Sequence, residues 1–201
     1  MGNHPPFPSM PFMANFTPLL HLFKGLARKG PGSEASTLHA LSLCPLPKQP
    51  VVADLGCGSG AATLPLARTL QVPILALDAD GLSLDDLWEI SHSQGLSHLV
   101  KPRCEDMANP GIEPNSLDLL WSEGAISCLG WASGLRVWRE LVRPNGIMAM
   151  TEATWLRDDP PEEARRAWSS WYPDMGTVAS NLQIAQDLGL EMLGHFILPP
   201  E

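Results

Sequence analysis

The sequence has few cysteines, few positive charges and no long apolar run, and each shortage excludes a class of protein. Its 4 cysteines lie far apart with no Cys-x-x-Cys pair, so the sequence indicates neither a zinc ribbon nor a disulfide framework, and we expect a cytoplasmic protein. The 13 basic residues stand against 22 acidic ones, for a net charge of −9, which argues against nucleic acid or an anionic membrane as partner. No apolar run is long enough to span a membrane, and the proline-rich start is unlike a signal peptide.

The length of 201 residues suits one domain with a full hydrophobic core. We expect residues 1–16 to be a poorly ordered lead-in and residues 17–201 to form a single domain that begins with two helices within 17–43. From residue 51 onward, short apolar segments alternate with helical patterns, which predicts an α/β fold with a parallel sheet covered on both faces. The predicted strands are 51–55, 73–78, 99–105, 117–122, 146–153 and 191–198. The predicted helices between and after them are 61–70, 83–95, 134–142 and about 178–188.

The stretch VVADLGCGSG, residues 51–60, places three glycines where the first predicted strand turns into a helix. A turn of this kind lets a ligand approach the backbone closely. With Ala61, and with Asp78 about twenty residues on, the glycines also fit a loose dinucleotide-binding pattern. Asp54 decides between the ligands, because its carboxylate would repel a pyrophosphate and attract the ammonium and sulfonium groups of S-adenosylmethionine.

The motifs, in this order and spacing, resemble those of class I S-adenosylmethionine-dependent methyltransferases. The likeness covers roughly residues 30–200 and rests on ADLGCGSG, ILALDAD, CEDM, LDLLWSEGAI and WRELVRPNGIMAMTE. The stretches RKGPGS, WSEGAI and FILPP further resemble a small bacterial subgroup related to enzymes that act on small molecules. The resemblance implies a Rossmann-like, doubly wound, mostly parallel sheet in the order 3-2-1-4-5, followed by strand 6. Strand 7 of that family would have no sequence to form it, because the chain ends at Glu201.

The resemblance also implies a set of cofactor contacts. Asp54 and the backbone at the first two glycines would hold the methionine end, Asp78 the ribose hydroxyls, and Asp106 with the Met107 backbone the adenine edge. Glu105 is an alternative to Asp106, since a one-residue shift of register exchanges them. The full expected set is Asp54, Gly56, Cys57, Gly58, Gly60, Asp78, Ala79, Asp106, Met107 and Glu123. Cys57 also has a structural interpretation, as the filler of a small apolar space at the turn.

Two glutamates that follow predicted strands are the candidates for catalysis. Methyl transfer from a sulfonium is an in-line displacement, so a base is needed only where the nucleophile must first lose a proton. Glu123, which could instead contact the cofactor, and Glu152 both lie where strands of a parallel sheet end beside the ligand. A solvated or hydrogen-bonded carboxylate at a strand end is the alternative interpretation for each.

An aromatic segment after the fifth predicted strand is the candidate substrate cover. Trp155, Trp171 and Tyr172 lie there, and aromatic rings around a cation are physically favourable. Packing in the core remains an equal interpretation. The 6 histidines show no metal-ligand spacing, so we expect no metal site.

The sequence therefore predicts an S-adenosylmethionine-dependent methyltransferase with a small-molecule acceptor. The alternatives are a nicotinamide-dependent oxidoreductase and a methyltransferase fold that serves as a non-catalytic binding module. Where enzymes that methylate nucleic-acid amino groups carry Asn/Asp-Pro-Pro-Tyr/Phe, this chain has WSEG, which argues against base flipping. An unpaired edge at strand five would favour a homodimer.

Overall fold

Five apolar segments of the chain form one parallel sheet in the computed structural model, which describes residue 26 and residues 28–199. The strands are β1 Val52–Leu55, β2 Ile74–Asp78, β3 Val100–Cys104, β4 Leu117–Glu123 and β5 Val142–Thr151. They are ordered β3-β2-β1-β4-β5, and every neighbouring pair is parallel. This arrangement confirms the predicted fold class and the order 3-2-1-4-5.

Helices follow the strands and cover both faces of the sheet. They are α1 Glu34–Ser42, α2 Thr63–Leu70, α3 Gly81–Ser93, α4 Trp131–Arg139, α5 Glu162–Ser169 and α6 Val178–Asp187. A 3-10 turn, Ile126–Cys128, follows β4. Ser33 and Thr177 begin α1 and α6 as capping boxes, in which the cap hydroxyl accepts from the backbone three residues on.

The central strands are buried on both faces, as crossover helices on either side require. On one face, Val52, Leu119 and Trp121 pack with residues of α1, α2 and α3. On the other face, residues such as Ala53 and Leu120 pack with α4 and α6. The carboxyl ends of β1, β2 and β4 are thereby held rigidly between two apolar layers.

The strand predicted for residues 191–198 is wrong, because residues 191–199 contain no strand. The run EMLGHFIL has no period-2 alternation, and a glycine in its interior weakens any strand. The segment packs on α1 instead, where the ring of Phe196 lies 4.7 Å from the ring of His39, measured between centroids. Among residues 28–199, β5 therefore has a partner on one side only.

Two other sequence predictions at the ends of the chain have different outcomes. The lead-in of residues 1–16, and nearly all of the first helix expected within 17–43, lie outside the described residues. The second of those helices is confirmed as α1. Helix α5 was not predicted, although Pro161 followed by two glutamates is a helix-start signal. No helix in the described residues is long and apolar enough to cross a membrane.

Candidate functional site

The turn after β1 is fixed to β2 by the backbone. The N–H groups of Gly56 and Cys57 both donate to the carbonyl of Leu77, at 2.8 and 3.0 Å, and the N–H of Gly60 donates to Cys57 at 2.9 Å. All three glycines have φ between 52° and 91°, the left-handed region that other residues avoid. The turn is a defined structure even without a ligand.

The three glycines are required for different reasons. A Cβ at Gly56 would lie 2.3 Å from the Cβ of Ala125, and one at Gly60 would lie 2.3 Å from Cδ1 of Leu87. Those two positions are therefore closed by internal packing. At Gly58 a Cβ would meet no heavy atom within 4 Å, so this residue presents bare backbone to open space, as a ligand contact requires.

Asp78, the last residue of β2, holds the turn from the side. Its Oδ2 accepts from the Gly58 N–H at 2.8 Å and its Oδ1 accepts from the Asp80 N–H at 2.9 Å. Burial raises the pKa of the Asp78 carboxyl, and these two backbone donors oppose the rise. Each carboxylate oxygen keeps acceptor capacity for a ligand hydroxyl.

Asp54 lies deeper, at 1% exposure. Its Oδ2 accepts from the Thr63 hydroxyl at 2.6 Å. Burial raises the pKa of Asp54 to about 7, and the neighbouring carboxylates of Glu123 and Asp78 add to that rise. A cation bound beside Asp54 would favour its ionised form.

Asp54 lines a cleft whose walls come from distant parts of the chain. One wall is residues 28–31, the opposite wall is formed by the turn and the start of the next helix, and Glu123 closes one end. Arg28 and Lys29 bring two cations to this cleft, and sequence analysis gave neither residue a role. The stretch RKGPGS was noted only as a family likeness, and nothing local to it indicates a contact with a residue 95 positions away.

Glu123 is surrounded by donors. Its carboxylate forms an ion pair with Arg28 and accepts hydrogen bonds from the hydroxyl of Thr37 at 2.7 Å and from Nε1 of Trp121 at 2.9 Å. Arg28 also donates to Thr37 and to the carbonyl of Ala61, at 3.2 and 3.3 Å. A carboxylate held by three side chains is suited to shaping the cleft rather than to accepting a proton.

The two acids expected near the adenine, Glu105 and Asp106, differ in the contacts that their carboxylates already make within the protein. Glu105 forms a two-point ion pair with Arg103, at 2.8 and 2.5 Å. Among the described residues, the Asp106 carboxylate accepts the N–H of Ala108 at 2.8 Å through Oδ1, and its Oδ2 is left for a ligand. The geometry thus favours Asp106 over Glu105.

Three further residues of the expected cofactor set have internal contacts in the structure. The Met107 carbonyl accepts from Nε1 of Trp138 at 2.9 Å, and the Met107 sulfur lies 3.7 Å from the Cβ position at Gly56. Ala79 contacts β3 through its carbonyl, 3.7 Å from the Cys104 sulfur. Cys57 is buried in the cleft wall, and burial raises the pKa of its thiol, so it is an unreactive filler.

Glu152 directly follows β5 and lies apart from this cleft. Both carboxyl oxygens are buried, and neither has a hydrogen-bond partner of accepted geometry in the described part of the chain. Burial raises the pKa of Glu152, and the nearby hydroxyl of Tyr172 partly opposes the rise. That hydroxyl also accepts the N–H of Trp131, at 3.3 Å.

The predicted aromatic cover is only partly assembled. Tyr172 is 7% exposed and lies beside Glu152. The Trp155 N–H donates to Gly176 at 2.8 Å, which joins the chain after β5 to the start of α6. Trp171 is 74% exposed and faces solvent. The described residues hold no group of three or more His, Cys, Asp or Glu side chains that could bind a metal.

Comparison with known proteins identifies a methyltransferase domain within the chain. Residues 52–146 match the family model described as a methyltransferase domain. Dimethylglycine N-methyltransferase of Parasynechococcus marenigrum is 30% identical over 119 residues, which cover 58% of this chain and 42% of that protein. Glycine/sarcosine/dimethylglycine N-methyltransferase of Actinopolyspora halophila is 29% identical over 104 residues, which cover 50% and 18%. The chain thus spans less than half the length of these curated relatives.

A solved structure supports the fold. The S-adenosylmethionine-dependent methyltransferase of Thiobacillus denitrificans, in complex with S-adenosylhomocysteine, superposes with a TM-score of 0.73 at 22% identity, over 90% of this chain and 72% of that one. These matches give no support to a nicotinamide-dependent oxidoreductase or to a non-catalytic module. Together with the glycine turn and the acids that end β1 and β2, these matches support a class I S-adenosylmethionine-dependent methyltransferase, with a methyltransferase domain at residues 52–146.

Proposed function

We propose that this chain binds S-adenosylmethionine at the carboxyl ends of β1, β2 and β3 and transfers its methyl group to a small molecule. The observation that carries the proposal is the convergence of bare backbone at Gly58 with two carboxylates. Asp78 bonds directly to the Gly58 N–H, and Asp54 lines the same cleft. A ligand that carries both hydroxyl groups and positive charges would donate hydrogen bonds to Asp78 and pair its positive charge with Asp54.

Each charged residue of the site has a proposed contact with that cofactor. Asp78 would accept the ribose hydroxyls, Asp106 would accept the adenine amino group, and Asp54 would balance the positive methionine end. Arg28 and Lys29 stand across the cleft, where they would pair with the methionine carboxylate. When bound, the cofactor supplies an electrophilic methyl group on a sulfonium. The protein's contribution is alignment in a dry site.

A small-molecule acceptor is supported by the relatives, whose names specify glycine, sarcosine and dimethylglycine as substrates. The net charge of −9 disfavours a polyanionic acceptor. The four cysteines are free thiols, which fits a reducing compartment and supports a cytoplasmic location.

The cofactor is tested by calorimetric titration with S-adenosylmethionine, S-adenosylhomocysteine and NAD. We expect the first two to bind, and to stabilise the fold by about 2.7 kcal/mol at a hundredfold excess over Kd. Asp78→Ala should weaken binding by roughly 1.5 to 3 kcal/mol, the range for a hydrogen bond with a charged partner. The matched control is Glu89→Ala, an exposed acid on α3. Binding of NAD alone, or equal affinity in Asp78→Ala, would contradict the proposal.

We also propose that β5 pairs with a second copy of itself. The described residues place no strand on its outer side, and such an edge offers a row of free N–H and C=O groups. A two-fold axis at the edge would pair the same residues reciprocally. We expect a dimer in light scattering, with slow amide exchange along residues 146–151 at high concentration and fast exchange on dilution. A monomer at all concentrations would rule this interface out.

A further inference from the structure

The carboxyl group of Glu152 is the one described side chain whose buried oxygens are both without a hydrogen-bond partner. Burying a carboxylate without a partner is unfavourable, so native proteins do it rarely. Such a group calls for an explanation, and a ligand that supplies the missing partner is the direct one.

Glu152 does not line the cleft around Asp54. Its neighbour Thr151 is in register with Glu123, and the Oγ1 of Thr151 accepts the Gly124 N–H at 2.8 Å. Side chains alternate along a strand. Glu152 therefore continues the face of Met148 and Met150, which pack in the second apolar layer on the α4 side.

This carboxylate nevertheless lies at the same edge of the sheet as the ribose acid. The 3-10 turn after β4 ends at Cys128. Burial raises the pKa of the Cys128 thiol, and the charges of Asp78 and Glu152 add to that rise. Cys128 is exposed. Cys128 is thus close enough to both the cofactor acid Asp78 and the buried acid Glu152 to feel the charge of each.

The walls of this second site favour a cation. Glu152 supplies a buried carboxylate with no cation beside it among the groups that act on it, and Tyr172, buried next to it, supplies an aromatic ring. Aromatic rings and a desolvated carboxylate attract an alkylammonium group. The described groups that act on Glu152 here are the hydroxyl of Tyr172 and the thiol of Cys128, and neither is a cation.

We propose, on the basis of the proposed methyl transfer, that the acceptor is an amine that enters as its ammonium ion and pairs with Glu152. The N–H bond breaks and the proton passes to a Glu152 carboxylate oxygen. The freed nitrogen lone pair forms the new N–C bond to the methyl group, while the C–S bond breaks and its electron pair stays on sulfur as a neutral thioether. The proton leaves Glu152 for water when the products depart. Glu152 is thus both the cation partner and the base.

The binding half is tested with a dead-end complex in which no transfer can occur. Protein saturated with S-adenosylhomocysteine is titrated with trimethylammonium and with tert-butanol, a neutral molecule of the same shape. We expect trimethylammonium to bind and tert-butanol not to bind. Glu152→Gln should weaken trimethylammonium binding at least tenfold, while Glu163→Gln, an exposed acid on α5, should leave it unchanged. Equal binding of the two probes, or equal affinity in Glu152→Gln, would overturn the inference.

A pH series separates this role from a structural one. The affinity of the wild type for trimethylammonium should rise with pH as Glu152 ionises, and that of Glu152→Gln should stay flat. The thermal midpoint of Glu152→Gln should not fall, because the variant removes a buried charge without a partner. A pH dependence unchanged in Glu152→Gln would overturn the assignment.

The chemical half is tested by methyl transfer to dimethylamine, propanol and propanethiol. We expect transfer to the amine, and a rate about 10² to 10⁴ lower at neutral pH in Glu152→Gln, the usual contribution of a general base. Transfer to the alcohol or thiol in preference to the amine would overturn the amine inference and leave the proposed function standing. Failure of both S-adenosyl compounds to bind would instead refute the proposed function.

Discussion

Asp54 shows how one residue can serve both a fold and a ligand. Sequence reasoning used only its charge, as an attraction for a cationic cofactor. The structure adds that it is almost wholly buried and that its carboxylate accepts a hydrogen bond from the Thr63 hydroxyl. Because burial opposes ionisation, the pKa of Asp54 reaches about 7. The charge of Arg28, which lines the same cleft, opposes that rise. In the protein without cofactor, Asp54 is therefore partly protonated at neutral pH, and a bound cation would shift it towards its ionised form.

Cofactor binding should release a proton from Asp54. With a ligand-free pKa of about 7, the group is largely protonated at pH 6, and a cationic ligand stabilises its ionised form. Affinity for S-adenosylmethionine should then rise up to tenfold per pH unit between about pH 5 and 7 and level off above. Calorimetry in two buffers of different ionisation enthalpy gives the number of protons released. The cofactor's own amine titrates in every variant, so the difference between wild type and Asp54→Asn belongs to Asp54. Equal proton counts in the two proteins would show that Asp54 does not change its protonation state when the cofactor binds, and would contradict this prediction.

At the scale of an element, the turn between β1 and α2 combines two functions in five residues. Gly56 and Gly60 let Ala125 and Leu87 pack against the backbone, whereas Gly58 faces open space. The sequence pattern alone gives all three the same meaning, because each glycine fits the ligand-binding motif. Only the packing around them separates structural positions from the contact position.

Substitution by alanine should separate these functions. Gly60→Ala combines a left-handed backbone with a clash against the buried Leu87, so we expect a loss of roughly 2 to 4 kcal/mol in unfolding free energy. Gly58→Ala meets no protein atom and should lose only the conformational term of about 1 to 2 kcal/mol. Its affinity for S-adenosylmethionine should nevertheless fall at least tenfold. Urea titration and calorimetry measure the two quantities. Normal cofactor affinity in Gly58→Ala would make the whole turn structural.

At the scale of the molecule, the sequence predicts what depends on local order and misses what depends on distant contacts. Strand order, the glycine turn and the acids that end β1 and β2 follow from motifs that are contiguous in the chain. The pairing of Arg28 with Glu123 joins residues 95 positions apart, and the missing partner of Glu152 depends on every element around it. Residues 191–198 contain enough apolar side chains for a strand, but packing on α1 determines their place. The first two outcomes have no local signal, whereas the interior glycine and the missing period-2 alternation of residues 191–198 do count against a strand.

The stability of the whole ligand-free molecule should fall as pH rises from about 5 to 7.5. The folded pKa of Asp54, about 7, lies above its unfolded value of about 4. The folded state therefore binds more protons across that window, and unfolding free energy decreases with pH by up to about 1.4 kcal/mol per unit for each such group. Burial shifts the pKa of Asp78 and Glu152 in the same direction. Asp159, whose pKa is lowered by its ion pair with Arg157, stabilises the fold in its ionised form. That stabilisation is lost only below about pH 4, outside this range. Urea midpoints at pH 5, 6, 7 and 7.5 should thus decline, less steeply in Asp54→Asn and with saturating S-adenosylmethionine. A midpoint that is constant or rises over this range would mean that these carboxyl groups titrate in the fold as they do in water.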